Sequence, residues 1–278
     1  MRTKLAIAVK LALDAGREIL KLYRREMQVD QKADEGPVTA ADRSADRLIR
    51  EGLRASFPED AVLTEESPDR LDRLSSRRLW IVDPLDGTRQ FVKGVDEFAV
   101  MIGLAIDGVP RLGVVHLPAE RLTYAGADGE GVFEIDASGS RRPVEIEPWN
   151  GGREPIAVAV GRSSAGSRTC RVVEALGSTR IVKSGSVGRK AMLIMSGQAD
   201  AYFTLGTRSR HWDSCAPEAL IRLAGGRFTD TTGRGIVYNT VQTRNERGLL
   251  ACRRGLTGSV VAAVREVAGP STDGSSNA

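Results

Sequence analysis

Residues 80–88 read Trp80-Ile81-Val82-Asp83-Pro84-Leu85-Asp86-Gly87-Thr88. An apolar run with the pattern of a buried strand ends in two carboxylates, and a Gly-Thr follows at once. Two carboxylates at a strand end, with the intervening carbonyl exposed by a Pro-led turn, form a site for a hard divalent cation such as Mg²⁺. The backbone N–H groups of Gly87 and Thr88 then face an anion brought in by that metal. A plain β-turn explains the same letters, because Asp-Pro and Asp-Gly are common in turns. On this stretch alone the two readings stand even.

Upstream, residues 3–25 place Leu5, Val9, Ala12, Gly16, Ile19, Leu20 and Tyr23 at helical spacing, with Lys and Arg opposite. A polar loop, Asp30 to Pro37, leads into a second helix with the stripe Ala41, Ala45, Leu48, Ile49 and Leu53. After Pro58, residues 61–64 read as a short strand ending in Glu65-Glu66, and residues 79–82 as the next. Downstream, apolar runs at 98–106, 111–117, 121–125, 131–135 and 143–146, separated by Asp-Gly and Ser-Gly, predict an antiparallel meander. Beyond Trp149-Asn150-Gly151-Gly152 the rhythm becomes strand and helix in alternation. Strands are expected at 156–160, 179–183, 200–204, 226–229 and 248–252, and helices at 165–176, 187–196, 213–224 and 256–267. The reading is an α+β half over 1–150 carrying most candidate ligands, an α/β half over 151–268 carrying Asp213, and a disordered tail over 269–278.

A chain of 278 residues can bury a large core, and 41% hydrophobic with 27% charged residues is ordinary for a globular enzyme. The net charge of +4 is mild and the basic residues are dispersed, so nucleic-acid polymer is not the expected partner. Cys170, Cys215 and Cys252 fit no zinc spacing and suggest reduced thiols, hence a cytoplasmic location. With only His116 and His211, an imidazole-rich metal site is not expected. Charged residues break up the N-terminus, so no signal peptide is read there, and no run approaches the roughly 20 apolar residues of a transmembrane helix.

Four acids stand where elements begin or end: Glu65, Asp83, Asp86 and Asp213. Gathered at one sheet edge, they would present several oxygens in one crevice, and Mg²⁺ favours a few carboxylates plus waters and phosphate oxygens. Each also has a structural explanation. Asp213 is placed to cap its helix, Glu65-Glu66 to form a solvated pair, and Asp42 to sit in a first helical turn that favours acids. Only the combination favours chemistry.

That combination resembles a known family. Val38-Thr39-Ala40-Ala41-Asp42, Thr64-Glu65-Glu66-Ser67, Trp80 through Thr88, and Trp212-Asp213 with Ala224-Gly225-Gly226 are similar to the motifs of the Mg²⁺-dependent, lithium-sensitive phosphatases. Inositol monophosphatase and fructose-1,6-bisphosphatase are the best-known members. The resemblance covers roughly residues 5–255, motifs in the family's order. It implies a layered αβαβα sandwich, two to three Mg²⁺ held by Glu65, Asp83, the Leu85 carbonyl, Asp86 and Asp213, and inhibition by Li⁺. It also implies that Thr88, paired with Asp42, orients the hydrolytic water.

Arg89-Gln90-Phe91-Val92-Lys93-Gly94, then Glu97-Phe98-Ala99-Val100, with Lys32-Ala33-Asp34 and Trp212 through Glu218, looks like the 3′(2′),5′-bisphosphate nucleotidase branch. Gln90 departs from the usual Glu. A nucleoside bisphosphate carries a second phosphate that needs a cation away from the metals. Gly185-Ser186-Val187-Gly188-Arg189-Lys190 offers amides, the Ser186 hydroxyl and the Lys190 ammonium. Gly87 and Thr88 are the candidates for the scissile phosphate, and Arg89 is a further candidate for binding phosphate or substrate. A solvated helix face explains Arg189 and Lys190 equally well. An Arg that some members carry is Thr204 here, so Arg208 or Arg210 would substitute. The expected activity is removal of the 3′-phosphate of adenosine 3′,5′-bisphosphate, with the 5′-phosphosulfate analogue as a further substrate. An inositol monophosphate or sugar phosphate is the alternative ester, and a non-catalytic polyanion-binding protein the alternative class. A homodimer stays open.

Overall fold

The computed structural model describes residues 1–25, 29–32, 36–151, 155–162, 167–177 and 179–268. The expected tail over 269–278, and Ala33 and Asp34 of the branch resemblance, lie outside them. Two amphipathic helices open the chain. Helix α1 (Arg2–Leu22) buries Ala8, Leu11, Ala12, Ala15, Gly16 and Ile19, and α2 (Ala40–Ser56) buries Ala41, Asp42, Ala45, Asp46, Ile49 and Leu53. The face α1 uses is built from smaller residues than its sequence stripe predicts. Leu20 points outward while three alanines make the contact, which lets the helix lie close to its neighbours.

Within the segment expected as a loop over Asp30–Pro37, β1 (Val29–Lys32) pairs antiparallel with β2 (Gly36–Thr39). Backbone hydrogen bonds hold such a ribbon, so it carries no apolar alternation from which it could be read.

The larger sheet has the order β3-β4-β5-β6-β7-β8-β9. Its strands are β3 (Ala61–Thr64), β4 (Arg78–Asp86), β5 (Ala99–Ile106), β6 (Val109–Leu117), β7 (Leu122–Ala127), β8 (Gly131–Ile135) and β9 (Arg141–Pro143). The strand expected at 143–146 is thus displaced to Arg141–Pro143. Strands β3 and β4 run parallel and the rest pair antiparallel, as the meander pattern predicts. A short helix, α3 (Thr88–Val92), follows β4 directly.

The second sheet has the order β11-β10-β12-β14-β13. It comprises β10 (Ile156–Gly161), β11 (Thr179–Ser184), β12 (Ala201–Thr204), β13 (Arg227–Thr229) and β14 (Leu249–Cys252). Strands β10, β11, β12 and β13 run in one direction, and β14 pairs antiparallel with both β12 and β13, so the sheet is mixed. Among them run α4 (Ser167–Ala175), α5 (Val187–Met195), α6 (His211–Leu223) and α7 (Thr257–Ala268).

Three apolar clusters stack these elements into five layers. One joins α1 and α2 to the first sheet through Trp80, Val100, Ile102 and Val114. The second joins that sheet's other face, through Met101 and Val115, to α5 and α6 and onward to Tyr202 and Ala251 of the second sheet. The third covers the second sheet's outer face with Val172 of α4 and Val260 of α7. The result is an αβαβα sandwich with α5 and α6 in its middle layer. No described helix is long and apolar enough to cross a membrane.

Strand β4 is where the sequence reading needs correction. The chain does not leave the sheet in a Pro-led turn after Val82; it stays paired to β5 as far as Asp86. The register runs Asp83↔Met101 and then Asp86↔Ala99, so three steps on β4 match two on β5. Pro84 has no N–H for the ladder, and the strand accommodates it as a β-bulge. Side chains alternate along a regular strand, which would put Asp83 and Asp86 on opposite faces. The extra residue returns Asp86 to the face of Asp83, toward the middle helix layer.

Helix α6 lies close against that face because two glycines clear its path. A Cβ at Gly113 would stand 2.4 Å from the Ala216 carbonyl oxygen, and one at Gly103 would stand 2.6 Å from Cys215 Sγ. Gly113→Ala is therefore expected to destabilise the protein by about 1–3 kcal/mol, the usual cost of overpacking, read as a lower thermal midpoint. An unchanged midpoint would show that α6 can back away from the sheet.

Candidate active site

The bulged end of β4, the start of α6 and the start of α5 meet in one crevice. One carboxylate oxygen from each of Asp83, Asp86 and Asp213 lies within 4.8 Å of the others. Each is held differently. Asp83 Oδ1 accepts from its own bulge, from Leu85 N at 3.0 Å. Asp213 both caps α6 and belongs to the cluster: its Oδ2 accepts Arg210 N at 2.5 Å as the third residue of a capping box. The capping role expected as an alternative is therefore compatible with the site, since one oxygen caps while the other remains. Glu65 follows β3, where its N–H bonds the Val82 carbonyl at 3.2 Å, and its carboxyl hydrogen-bonds Asp83.

Asp86 is held by α5. Gly188 N donates to its Oδ2 at 2.6 Å, Val187 N to its Oδ1 at 3.2 Å, and the Ser186 hydroxyl to Oδ2. The N-terminal donors of a helix suit an anion, and here the anion is a side chain of the protein itself. Ser186 is fully buried and also caps α5 by accepting Arg189 N. In this structure the Ser186 hydroxyl and the neighbouring amides, expected as substrate donors, donate to Asp86 and orient a carboxylate. Gly188 permits the approach, because a Cβ there would meet Met101 Sδ at 2.7 Å and Asp86 Oδ2 at 3.2 Å. Glu97 ties the same region together: Arg162 bonds it through two nitrogens at 2.5 and 2.6 Å, and Gly185 N at 3.0 Å.

On the other side, Thr88 Oγ1 lies 3.0 Å from Asp42 Oδ1 and 3.0 Å from the Leu85 carbonyl oxygen. Asp42 is 1% exposed, and its second oxygen accepts Thr39 N and Oγ1 at 2.8 and 2.6 Å, closing the capping box of α2. Gly87, with φ +94°, makes the turn between Asp86 and Thr88; a Cβ would stand 2.7 Å from the Glu97 carbonyl oxygen. The expected pairing of Thr88 with Asp42 is present.

A cleft of about 310 Å³ is lined by Glu65, Arg89, Lys190, Tyr202, Arg208 and Asp213 among others. The solvated-face explanation of Arg189 and Lys190 does not hold. Arg189 bonds Glu120 at 2.6 Å, and Lys190 is 6% exposed. The Lys190 ammonium has no hydrogen bond or ion pair among the described residues; its Nζ stands 4.8 Å from the Tyr202 ring centroid. Tyr202 was missed in the sequence, where a lone Tyr between Ala201 and Phe203 reads as core. His211 is buried against Tyr238.

The electrostatics follow from burial. Desolvation, then the charges of Glu65, Asp86 and Asp213, push the Asp83 carboxyl well above the usual carboxylate range. Desolvation also raises Asp86, against the opposing bonds from Ser186 and α5. Asp213 is pushed up to about 7 by burial and the charge of Asp86. Burial raises Asp42 against the bonds from Thr39 and Thr88, and lowers Lys190 against the pull of Asp86 and Asp213. Clustered oxygen donors that repel one another when ionised fit a hard divalent cation, and the cluster holds no soft ligand.

A profile of the inositol monophosphatase family matches residues 1–268. The chain is 36% identical, over 232 residues, to the 3′(2′),5′-bisphosphate nucleotidase CysQ of Escherichia coli (strain K12), covering 82% of this chain and 91% of the relative. It is 31% identical over 278 residues to a histidinol-phosphatase of Chlorobaculum parvum, covering 95% and 97%. Among solved structures it superimposes on CysQ from Bacteroides thetaiotaomicron with a TM-score of 0.78 and 27% identity, covering 91% of this chain and 98% of that one.

The raised carboxyl groups give a signed pH dependence. The folded protein binds these protons more tightly than the unfolded chain. Their contribution to metal-free stability is therefore present near pH 4, the ordinary carboxylate range, and is lost as pH rises through the Asp213 value of about 7. A divalent cation that replaces the protons reverses that loss. The thermal shift produced by Mg²⁺ over EDTA is expected to be small at about pH 5 and to reach its full size by about pH 8. A shift of constant size across that range would contradict the assignment.

Proposed function

Because the chain belongs to the inositol monophosphatase family, we propose that it is a 3′(2′),5′-bisphosphate nucleotidase, hydrolysing the 3′-phosphate of adenosine 3′,5′-bisphosphate with Mg²⁺. The observation that carries the substrate choice is Lys190. A buried ammonium with no hydrogen bond or ion pair among the described residues, facing a cleft that Glu65 and Asp213 also line, calls for an anionic group on the substrate besides the scissile phosphate. A nucleoside bisphosphate has one. Its 5′-phosphosulfate analogue has one too and is proposed as a further substrate.

The ligands proposed for Mg²⁺ are Glu65, Asp83, the Leu85 carbonyl, Asp86 and Asp213. When bound, the cation supplies Lewis-acid stabilisation of phosphoryl oxygens and makes a hydrolytic water more acidic. Thr88 and Asp42 handle that water's proton. The Thr88 hydroxyl has one proton for two acceptors, and when it points to Asp42 its lone pairs are left to accept from water. Burial makes Asp42 a better proton acceptor than a solvated carboxylate. The Gly87 and Thr88 amides and the Arg89 guanidinium, at the cleft rim, are proposed to hold the transferred phosphate. Li⁺ inhibition is expected from competition at the same oxygens.

The histidinol-phosphatase relative favours a second reading, in which the ester is smaller or of another class. An amino-alcohol phosphate would bring its own cation toward Lys190 and Arg208, which argues against it.

Phosphate release from adenosine 3′,5′-bisphosphate, inositol 1-phosphate and histidinol phosphate, with and without Mg²⁺, decides the substrate. The bisphosphate is expected to have the highest kcat/KM. Lys190→Ala should lower the ratio of its kcat/KM to that of the inositol ester by about 10-fold, the value of one charge-assisted hydrogen bond. An unchanged ratio would remove Lys190 from substrate recognition.

A further inference from the structure

A second donor without a partner sits beside the Lys190 ammonium. Tyr202 is 1% exposed, and its phenol oxygen is buried with no hydrogen-bond partner among the described residues. Its position follows from strand alternation. Ala201 and Phe203 belong to the outer core beneath α7, whereas Tyr202 projects the other way, into the layer that carries α5 and α6. There it lines the same cleft as Asp213, Thr204, Arg208 and Lys190, and its ring face carries the Lys190 ammonium at 4.8 Å from the centroid. A phenylalanine would fill the same space, support the same ammonium, and leave no polar atom unsatisfied. The hydroxyl costs stability in this core unless it meets a ligand.

We propose that the Tyr202 hydroxyl and the Lys190 ammonium together bind the non-scissile phosphate of the substrate, and that Tyr202 is a specificity-determining residue. This rests on the nucleotidase reading above. Burial, together with the negative Asp213 and Asp86 nearby, keeps the phenol protonated, so it is available as a donor. The Tyr202 hydroxyl is buried before the ligand arrives. An anion placed between the two donors forms bonds in a low-dielectric setting. The ring holds the ammonium and the hydroxyl shares its ligand.

The test uses the full chain in EDTA and adenosine 5′-monophosphate as probe, which carries the second phosphate and lacks the scissile one. Calorimetry is expected to show binding by the unsubstituted protein, about 3- to 10-fold weaker binding by Tyr202→Phe, and none by Lys190→Met. The ligand-free thermal midpoint of Tyr202→Phe is expected to rise, because an unsatisfied hydroxyl has been removed. Unchanged affinity in Tyr202→Phe, a lowered midpoint, or no binding by the unsubstituted protein would each overturn the proposal. The nucleotidase reading fails separately. Weakened nucleotide binding in Tyr202→Phe without hydrolysis of the bisphosphate would leave the subsite standing and remove only the enzyme assignment.

Discussion

Mutual repulsion among buried carboxylates is the constraint around which this fold is arranged. Asp83, Asp86 and Asp213 place oxygens within 4.8 Å of one another, out of water, with Glu65 beside them. Packing alone would never favour that arrangement, and the surroundings show how it is tolerated. The first turn of α5 turns three donors onto Asp86, Arg210 N bonds Asp213, and Leu85 N bonds Asp83. Each carboxylate keeps capacity for a further partner. These bonds fix orientation and leave the excess negative charge in place, which is the condition for holding a hard cation tightly.

The geometry depends on the middle layer. Two helices packed between two sheets bring their N-termini to the same edge of the first sheet, where β4 ends. Gly103 and Gly113 let α6 approach, Gly188 lets α5 approach, and Glu97 binds the chain before α5 through Gly185. The bulge at Pro84 completes the arrangement by turning Asp86 to the face of Asp83. Asp42 and Thr88 form a separate group beside it, tied to the same strand end through the Leu85 carbonyl.

Much of this was legible in the sequence, for identifiable reasons. The helical stripes of α1 and α2 and the alternating runs of the meander report burial directly. The carboxylates stood out because acids at the ends of apolar runs conflict with ordinary strand composition. What stayed hidden depends on contacts distant in sequence. Asp-Pro-Leu-Asp-Gly reads locally as a turn, and only pairing with β5 makes it a bulged strand. Ser186 reads as a donor for substrate until the structure shows Asp86 receiving its proton. Tyr202 reads as core, and only the structure shows the Lys190 ammonium over its ring and a buried hydroxyl without a partner among the described residues.

The claim that buried charge repulsion at this cluster is relieved by a divalent cation is tested most directly with Asp213→Asn. The amide keeps the shape and removes one charge. The account predicts a higher thermal midpoint than the unsubstituted protein in EDTA, no further rise on adding Mg²⁺, and loss of Mg²⁺-dependent phosphate release. A variant that keeps both the Mg²⁺-induced stabilisation and the turnover would contradict it.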